Sequence, residues 1–319
     1  KRAGMAFAIG SGMSYGFYGV FSTLLVEAGV TDVSIAILPV FALSVYFGIR
    51  VAFKARVLKG IPVKHIVCMV LQGFFISNGM NYCYTQAYSN GMPVGVVSVV
   101  AFTNVIIVMV LSFFVFGYKF TVPKIAAIAM VLLGVSLVVG LYGGGMAGIT
   151  TTGLMWTALI PLFYGVNIVL NSYFISKGYD SDAILFITQT GALVFMLVFM
   201  VNLGSFFSNM AQSLTTPVYW IALFGFCLIP QVLCYSFMQE SLKRVEPTLF
   251  QICMALDPVT ALVVGALALG QSVDVSQIIG IAVVLGAVLF INLKEGKEAQ
   301  DDVPPSACDE EPRKIASSS

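Results

Sequence analysis

Ten runs of about twenty apolar residues, separated by short polar stretches, leave this chain few folds to choose from. They lie near 4–26, 33–53, 64–88, 93–116, 122–142, 153–176, 182–204, 217–240, 247–269 and 274–293. As a helix, each run is long enough to cross a hydrocarbon core of about 30 Å. Strands of a membrane barrel would alternate over about ten residues, and these runs do not. Charged residues make up only 10% of the chain, against about 25% in a soluble domain, so they could not cover a water-facing surface. The chain therefore reads as an all-α membrane protein of ten transmembrane helices in a lipid bilayer. Pro93, Pro123, Pro217 and Pro247 fall at expected helix starts, where proline is tolerated. Residues 294–319 are acidic and rich in Pro and Ser and read as a disordered tail.

The cations sort these spans by side. Lys1 and Arg2 precede the first span, and Arg50, Lys54, Arg56, Lys59 and Lys64 surround the loop between the second and third. Lys119, Lys124, Lys177, Lys243 and Arg244 flank the next even-to-odd or span-ending loops, and Lys294, Lys297, Arg313 and Lys314 follow the tenth span. All 16 Lys and Arg residues thus fall on one face. The positive-inside rule makes that face cytoplasmic and puts both termini there, in a cytoplasmic-membrane protein. Lys1-Arg2 before an apolar run resembles a secretory leader, but the run has a counterpart deep in the chain and reads as a retained span.

That counterpart is part of a repeat. "YGFYGVFSTLLVEAG" at 15–29 is matched by "YGVNIVLNSYFISKG" at 164–178, an offset of 149. At an offset of 153, residues 84–139 pair with 237–292 without a gap, including Gln86 with Gln239, Gly117 with Gly270 and Ile128-Ala129 with Ile281-Ala282. Five spans per repeat is an odd number, so the second repeat starts on the opposite side. The expected architecture is two inverted five-helix repeats, 1–142 and 153–293, joined by the Gly-rich loop 143–152. Inverted repeats are a common transporter plan, with the site near midplane at the repeat interface.

Five-plus-five spans, an aromatic-Gly pair in the first span of each half, a break in the fourth, and Gly270 followed by "QSVDVSQIIG" resemble the EamA-type drug/metabolite transporters. The resemblance covers residues 4–293. After Gly117 the chain departs from it, reading "YKFTVPKIAA" where family members often carry an acid and "QxxG". The resemblance implies a ten-helix carrier of metabolites, in bacteria usually an exporter.

Polar residues recur on single helix faces. In the first span Ser11, Tyr15, Tyr18 and Ser22 share a face, and the sixth presents Tyr164, Asn167 and Asn171. The third carries Asn78, Asn81, Tyr82 and Thr85, and its partner, the eighth, supplies Gln231, Tyr235 and Gln239. Such groups in hydrocarbon need partners. They line a wet central cavity that takes substrate, or they bond between helices and only hold the bundle together.

Asp257, in "MALDPV", is the one charged residue deep in a span, and its repeat counterpart is Asn104. Insertion of an Asp at that depth costs about 2.5–3.5 kcal/mol. Pro258 cannot donate to the carbonyl of Met254. No Lys, Arg or His stands at a comparable depth, and desolvation favours the neutral form of the carboxyl. Asp257 is therefore a candidate proton carrier or ammonium site; the alternative is a permanently neutral acid making one structural hydrogen bond.

The expected function is a secondary transporter, an exporter of small metabolites, working by alternating access. Amino acids and related amines lead, because the deep residues offer a carboxyl, amides and tyrosines but no fixed cation. A passive channel is the alternative, and an intramembrane enzyme lacks a nucleophile–base pair. No cofactor, metal or nucleic-acid partner is expected: the six cysteines have no ligand spacing, and "GGG" at 143–145 lacks a P-loop Lys. Gly12-x-x-x-Gly16 permits close helix packing, though a chain with 30 glycines offers many chance matches. His65 is expected at the membrane interface, and Pro39, Pro161 and Pro230 at kinks.

Overall fold

A computed structural model describes residues 1–30, 32–90, 92, 97, 100–139, 150–200, 217–269 and 274–301. Every regular element among them is helical. In chain order they are α1 (Arg2–Tyr15), α2 (Tyr18–Glu27), α3 (Asp32–Phe53), α4 (Val63–Leu71), α5 (Asn78–Ser89), α6 (Asn104–Phe116) and α7 (Val122–Val138). There follow α8 (Thr151–Ser176), α9 (Ser181–Phe195), α10 (Pro217–Cys227), α11 (Cys234–Leu242), α12 (Pro247–Cys253), α13 (Leu256–Leu269) and α14 (Val275–Asp301). Among the described residues, six helical segments are long and apolar enough to cross a membrane: Ile35–Phe53, Val63–Tyr84, Thr151–Ser176, Ser181–Phe199, Tyr219–Leu242 and Pro247–Ala268. Val100–Phe116, Val122–Val138 and Val275–Ile291 are apolar but shorter. With a charge fraction of 10%, this is a multi-pass membrane protein.

Several expected spans are not plain helices. The first breaks at Gly16-Phe17, between α1 and α2. The third and eighth each contain a π-helical turn, Gln72–Ser77 and Leu228–Leu233, which leaves each helix continuous but shifts its register, a distortion frequent at functional sites. Pro230 lies in the second of these turns, whereas Pro39 and Pro161 sit inside unbroken helices. The ninth breaks at Met254-Ala255, between α12 and α13, and the fourth has a turn at Thr103 just before α6. The tail expectation needs correction: α14 continues to Asp301, past its expected end at residue 293. "KEGKEAQ" is mostly good helix formers, and only their polarity argued for an earlier end. Residues 302–319 and the loop 143–149 lie outside the described residues.

The two sequence repeats make like contacts. α1 packs on α11 and α13, and α8 packs on α5 and α6; α3 packs on α9, and α7 on α14. The first and sixth spans end in the same turn. Gly29 and Gly178, 149 residues apart, both take positive φ, 86° and 80°. Val30 N–H bonds Leu25 O, and Tyr179 N–H bonds Phe174 O, the long bond of a Schellman cap. The glycine closing each copy of the 15–29/164–178 repeat is thus a left-handed helix stop, a conformation an L side chain resists. The main apolar core gathers Met5, Val105, Val131, Leu249 and Val284 from helices of both repeats.

Candidate functional site

The two broken spans cross at their breaks. A Cβ placed on Gly12 would sit 3.2 Å from both Cα and O of Met254. One on Gly16 would sit 2.5 Å from Thr260 Cβ and 2.7 Å from Asp257 O. The two glycines bring the backbone of the first span onto the carbonyls and first turn of α13. The Gly12/Gly16 pair, which sequence alone could not separate from chance, is therefore used. The other half repeats the contact: a Cβ on Gly165 would meet Ile107 Cγ2 at 2.8 Å and Asn104 O at 3.5 Å. Gly165 matches Gly16, and Asn104 and Ile107 match Asp257 and Thr260.

Polar groups collect at the first crossing. Asp257 lies in the first turn of α13, and the main helices around it carry Tyr15, Tyr164, Tyr235 and Cys234. Tyr15 has Tyr18, Tyr235, Tyr164 and Asp257 as electrostatic neighbours. Tyr164 has Tyr84, Asp257, Tyr235 and Cys234. The rings of Tyr15 and Tyr18 stack at 5.5 Å and 23°. Ser11 Oγ donates to Cys234 O at 3.0 Å, tying the first span to the eighth. Asp257, Tyr15, Tyr164 and Tyr235 all keep some exposure rather than being sealed. Among the described residues no Lys, Arg or His pairs with Asp257. The arrangement can hold a cationic donor against a carboxyl, with the tyrosines Tyr15 and Tyr164 beside it.

Other expected site residues are engaged elsewhere. Asn78 is 1% exposed, and its amide donates to Gly73 O at 3.1 Å, Phe74 O at 3.3 Å and Ala192 O at 3.1 Å. It satisfies carbonyls freed by the π turn and pins the third span to the seventh. Asn104 is fully buried, and its Oδ1 accepts from Gln251 Nε2 at 2.9 Å. Asn167 Nδ2 donates to Ser77 Oγ at 2.8 Å, and Asn171 Nδ2 donates to Asn167 Oδ1 at 2.8 Å. Gln239 Nε2 reaches Asn171 Oδ1 at 3.4 Å, so the third, sixth and eighth spans share one amide network. Gln231 is buried inside its π turn, and Asn81 is half-buried on α5. Tyr82 is exposed, its ring edge-on to Trp156 at 5.5 Å. Of that aromatic pair in "NYCYTQ", Tyr84 is the one that neighbours Tyr164.

Cys234, Tyr84 and Gln251 were missed as participants, whereas Ser11 was on the expected polar face of the first span. Tyr84 stood between Tyr82 and Thr85 in the polar part of the third span. Gln251 pairs with Asn104 across 147 residues, and its own repeat position is Ser98, so the repeat gave no pointer to it.

Ion pairs join the halves at the face carrying the cations. Asp182 accepts Lys54 Nζ at 2.9 Å and faces Arg50 at 3.2 Å. Lys124 pairs with Glu246, both nearly buried. The hydrogen bond to Asp182 holds the Lys54 ammonium above the usual lysine range. His65 Nδ1 meets Tyr179 OH at 2.5 Å, linking the starts of the third and seventh spans.

The same chain plan recurs in known proteins. A solved crystal structure superposes with a TM-score of 0.70 at 15% identity, over 93% of this chain and 99% of that one, and so shows the same fold. A "Probable amino-acid metabolite efflux pump" of Salmonella typhimurium is 26% identical over 247 residues, 76% of this chain and 82% of that protein. "Uncharacterized transporter YdfC" of Bacillus subtilis is 25% identical over 203 residues, 64% of each. The EamA-like transporter family model matches twice, at 2–140 and 151–293. With both halves matched and the paired crossings at Gly16 and Gly165 in place, the chain is a membrane transporter that belongs to the EamA-like transporter family.

Proposed function

We propose that the protein exports small amine-bearing metabolites, amino acids foremost, by alternating access between two inverted five-helix repeats, residues 1–142 and 153–293. The observation that carries the reading is Asp257: an acid at a helix break, partly open, beside Tyr15 and Tyr164, with no Lys, Arg or His paired to it among the described residues. A carboxyl deep in a span without a partner is costly, and a substrate ammonium or a proton removes that cost. The matched crossings of Gly16 on α13 and Gly165 on α6, and the matched turns at Gly29 and Gly178, support the inverted pair. The efflux-pump relative supports the direction of transport and the amino-acid class.

In this reading the cation-bearing face is cytoplasmic and both termini lie there. The ion pairs of Asp182 with Arg50 and Lys54, and of Glu246 with Lys124, then latch the cytoplasmic ends of the two repeats. The other face has no Lys or Arg, so its closure rests on apolar packing.

Asp257→Asn tests the proposal in proteoliposomes. It keeps the shape and removes titration, so the variant should insert normally. If Asp257 binds the ammonium, equilibrium binding should weaken by about 1.5–3 kcal/mol, the worth of a charged hydrogen bond. If it carries a proton, binding and exchange should persist while accumulation driven by a pH gradient is lost. Wild-type binding and wild-type driven flux together would remove Asp257 from the site. Counterflow in the wild type separates a carrier from a channel.

A further inference from the structure

A cavity of about 540 Å³ opens at the cation-bearing face, away from Asp257. Its charged lining is Lys1, Lys119, Lys124, Lys243, Arg244 and Glu246, five cations against one acid. The ends of the fourth, sixth and eighth spans and the starts of the fifth and ninth meet there, with Tyr118, Ser172 and Ser176 between them.

The internal acids do not balance this charge. Lys124 is matched by Glu246. Lys243 and Arg244 share Glu240, which lies outside the cavity lining. Lys119 is exposed and has no acid partner among the described residues. The cavity also meets the N-terminus of the 17-residue helix α7, whose N-cap Thr121 makes no side-chain capping bond. Pro123 in that first turn has no N–H to offer, and the N–H groups that remain at such a terminus attract anions. Cations that served only to fix topology would not need to converge on a concave site with an uncapped helix start.

We propose that this cavity binds an anionic group, a carboxylate or a phosphate. The group comes either from a soluble small molecule or from the headgroup of an anionic lipid, since basic pockets at helix ends take both. Lys119, Lys243 and Arg244 supply the donors, while Glu246 opposes binding and sets the affinity.

The test is equilibrium binding of pyrophosphate and of glutarate to the full chain in phosphatidylcholine nanodiscs. Because no flux is read, its failure is separate from failure of the transport proposal. Lys119→Gln should weaken binding about two- to fivefold at low salt, the size of one exposed charge interaction. Lys119→Glu should weaken it further. Glu246→Gln should tighten binding, and all three differences should shrink in about 0.5 M salt as charges are screened. A purely structural role for these residues predicts no such opposite signs. In phosphatidylglycerol discs, loss of soluble-anion binding marks the headgroup as the ligand, and unchanged binding marks the soluble anion. Should Glu246→Gln unfold, Lys119 is exposed and its two variants decide alone. Absence of saturable binding to the phosphatidylcholine discs, or equal binding by wild type, Lys119→Gln and Lys119→Glu, overturns the proposal.

Discussion

Replacing Gly16 with alanine probes the crossing on which the site is built. The new Cβ would lie 2.5 Å from Thr260 Cβ, 2.7 Å from Asp257 O and 2.9 Å from Ala261 N. Carbon contacts relax at about 3.5–4.0 Å, so the two helices must part by about 1 Å. Two of the three obstacles are backbone, which cannot rotate aside. Overpacking of this kind costs about 1–3 kcal/mol. Alanine recovers at most about 1 kcal/mol through helix propensity, and less beside a turn. The expected net loss is about 1–2 kcal/mol, with Asp257 displaced and transport reduced more than stability. Gly165→Ala meets a side chain, Ile107, at 2.8 Å, which can shift, so it should be milder despite the matched position. Gly19→Ala, in α2 with nothing within 4 Å, should be neutral or stabilising by up to about 1 kcal/mol. Denaturant unfolding in detergent and flux in proteoliposomes on the three variants give the order. A Gly16→Ala protein as stable and active as Gly19→Ala would refute the crossing.

Two further variants separate support from site. Asn78→Ala strips the amide from three carbonyls; unfolding should show a loss of about 1–3 kcal/mol, with substrate KM unchanged. Asp182→Asn weakens the contacts to Arg50 and Lys54 but keeps the Asp180 side-chain cap on its N–H. At about 1 kcal/mol for partly exposed pairs, cysteine accessibility at the cation-bearing face should rise roughly fivefold. Lys54 stands above its ordinary value, so its contribution is complete below about 10.4 and is lost only as pH rises through the raised value. Accessibility there should accordingly be unchanged between about pH 6 and 9, and a change in that window that survives in Asp182→Asn belongs to another group.

Much of this was legible in the sequence because it depended on one-dimensional signals. The apolar runs and the glycine at the end of each "YG" motif are such signals, and Gly29 and Gly178 have the positive φ that such a stop requires. What was not legible depended on pairing. A polar face on a helical wheel looks the same whether it meets water or another helix. Asn78, Asn104 and Asn171 proved to be bonded within the protein, whereas Tyr15 and Asp257 keep some exposure. The breaks at Gly16-Phe17 and Met254-Ala255 had partial signals in Gly16 and Pro258, but only their crossing gives them a shared meaning.

The matched positions 104 and 257 differ by more than a charge. Asn104 is 0% exposed, and Gln251 donates to its Oδ1 at 2.9 Å. Asp257 is partly exposed beside Tyr15 and Tyr164. A near-symmetric scaffold thus carries one sealed amide and one partly exposed acid, so only one of the two matched crossings presents a titratable group. Exchanging the two residues tests whether the surroundings or the residue makes the site. In Asn104→Asp with Asp257→Asn, the new carboxyl can still accept from Gln251, but it has no room for water, substrate or a cation. A charge held there would cost several kcal/mol, so it should stay neutral and take no part in coupling. The double variant should therefore be no more active in gradient-driven flux than Asp257→Asn alone, and less stable than it to denaturant. Recovery of flux by the exchange would mean that position 104 is open to the transport path, and the asymmetry argued from its burial would fall.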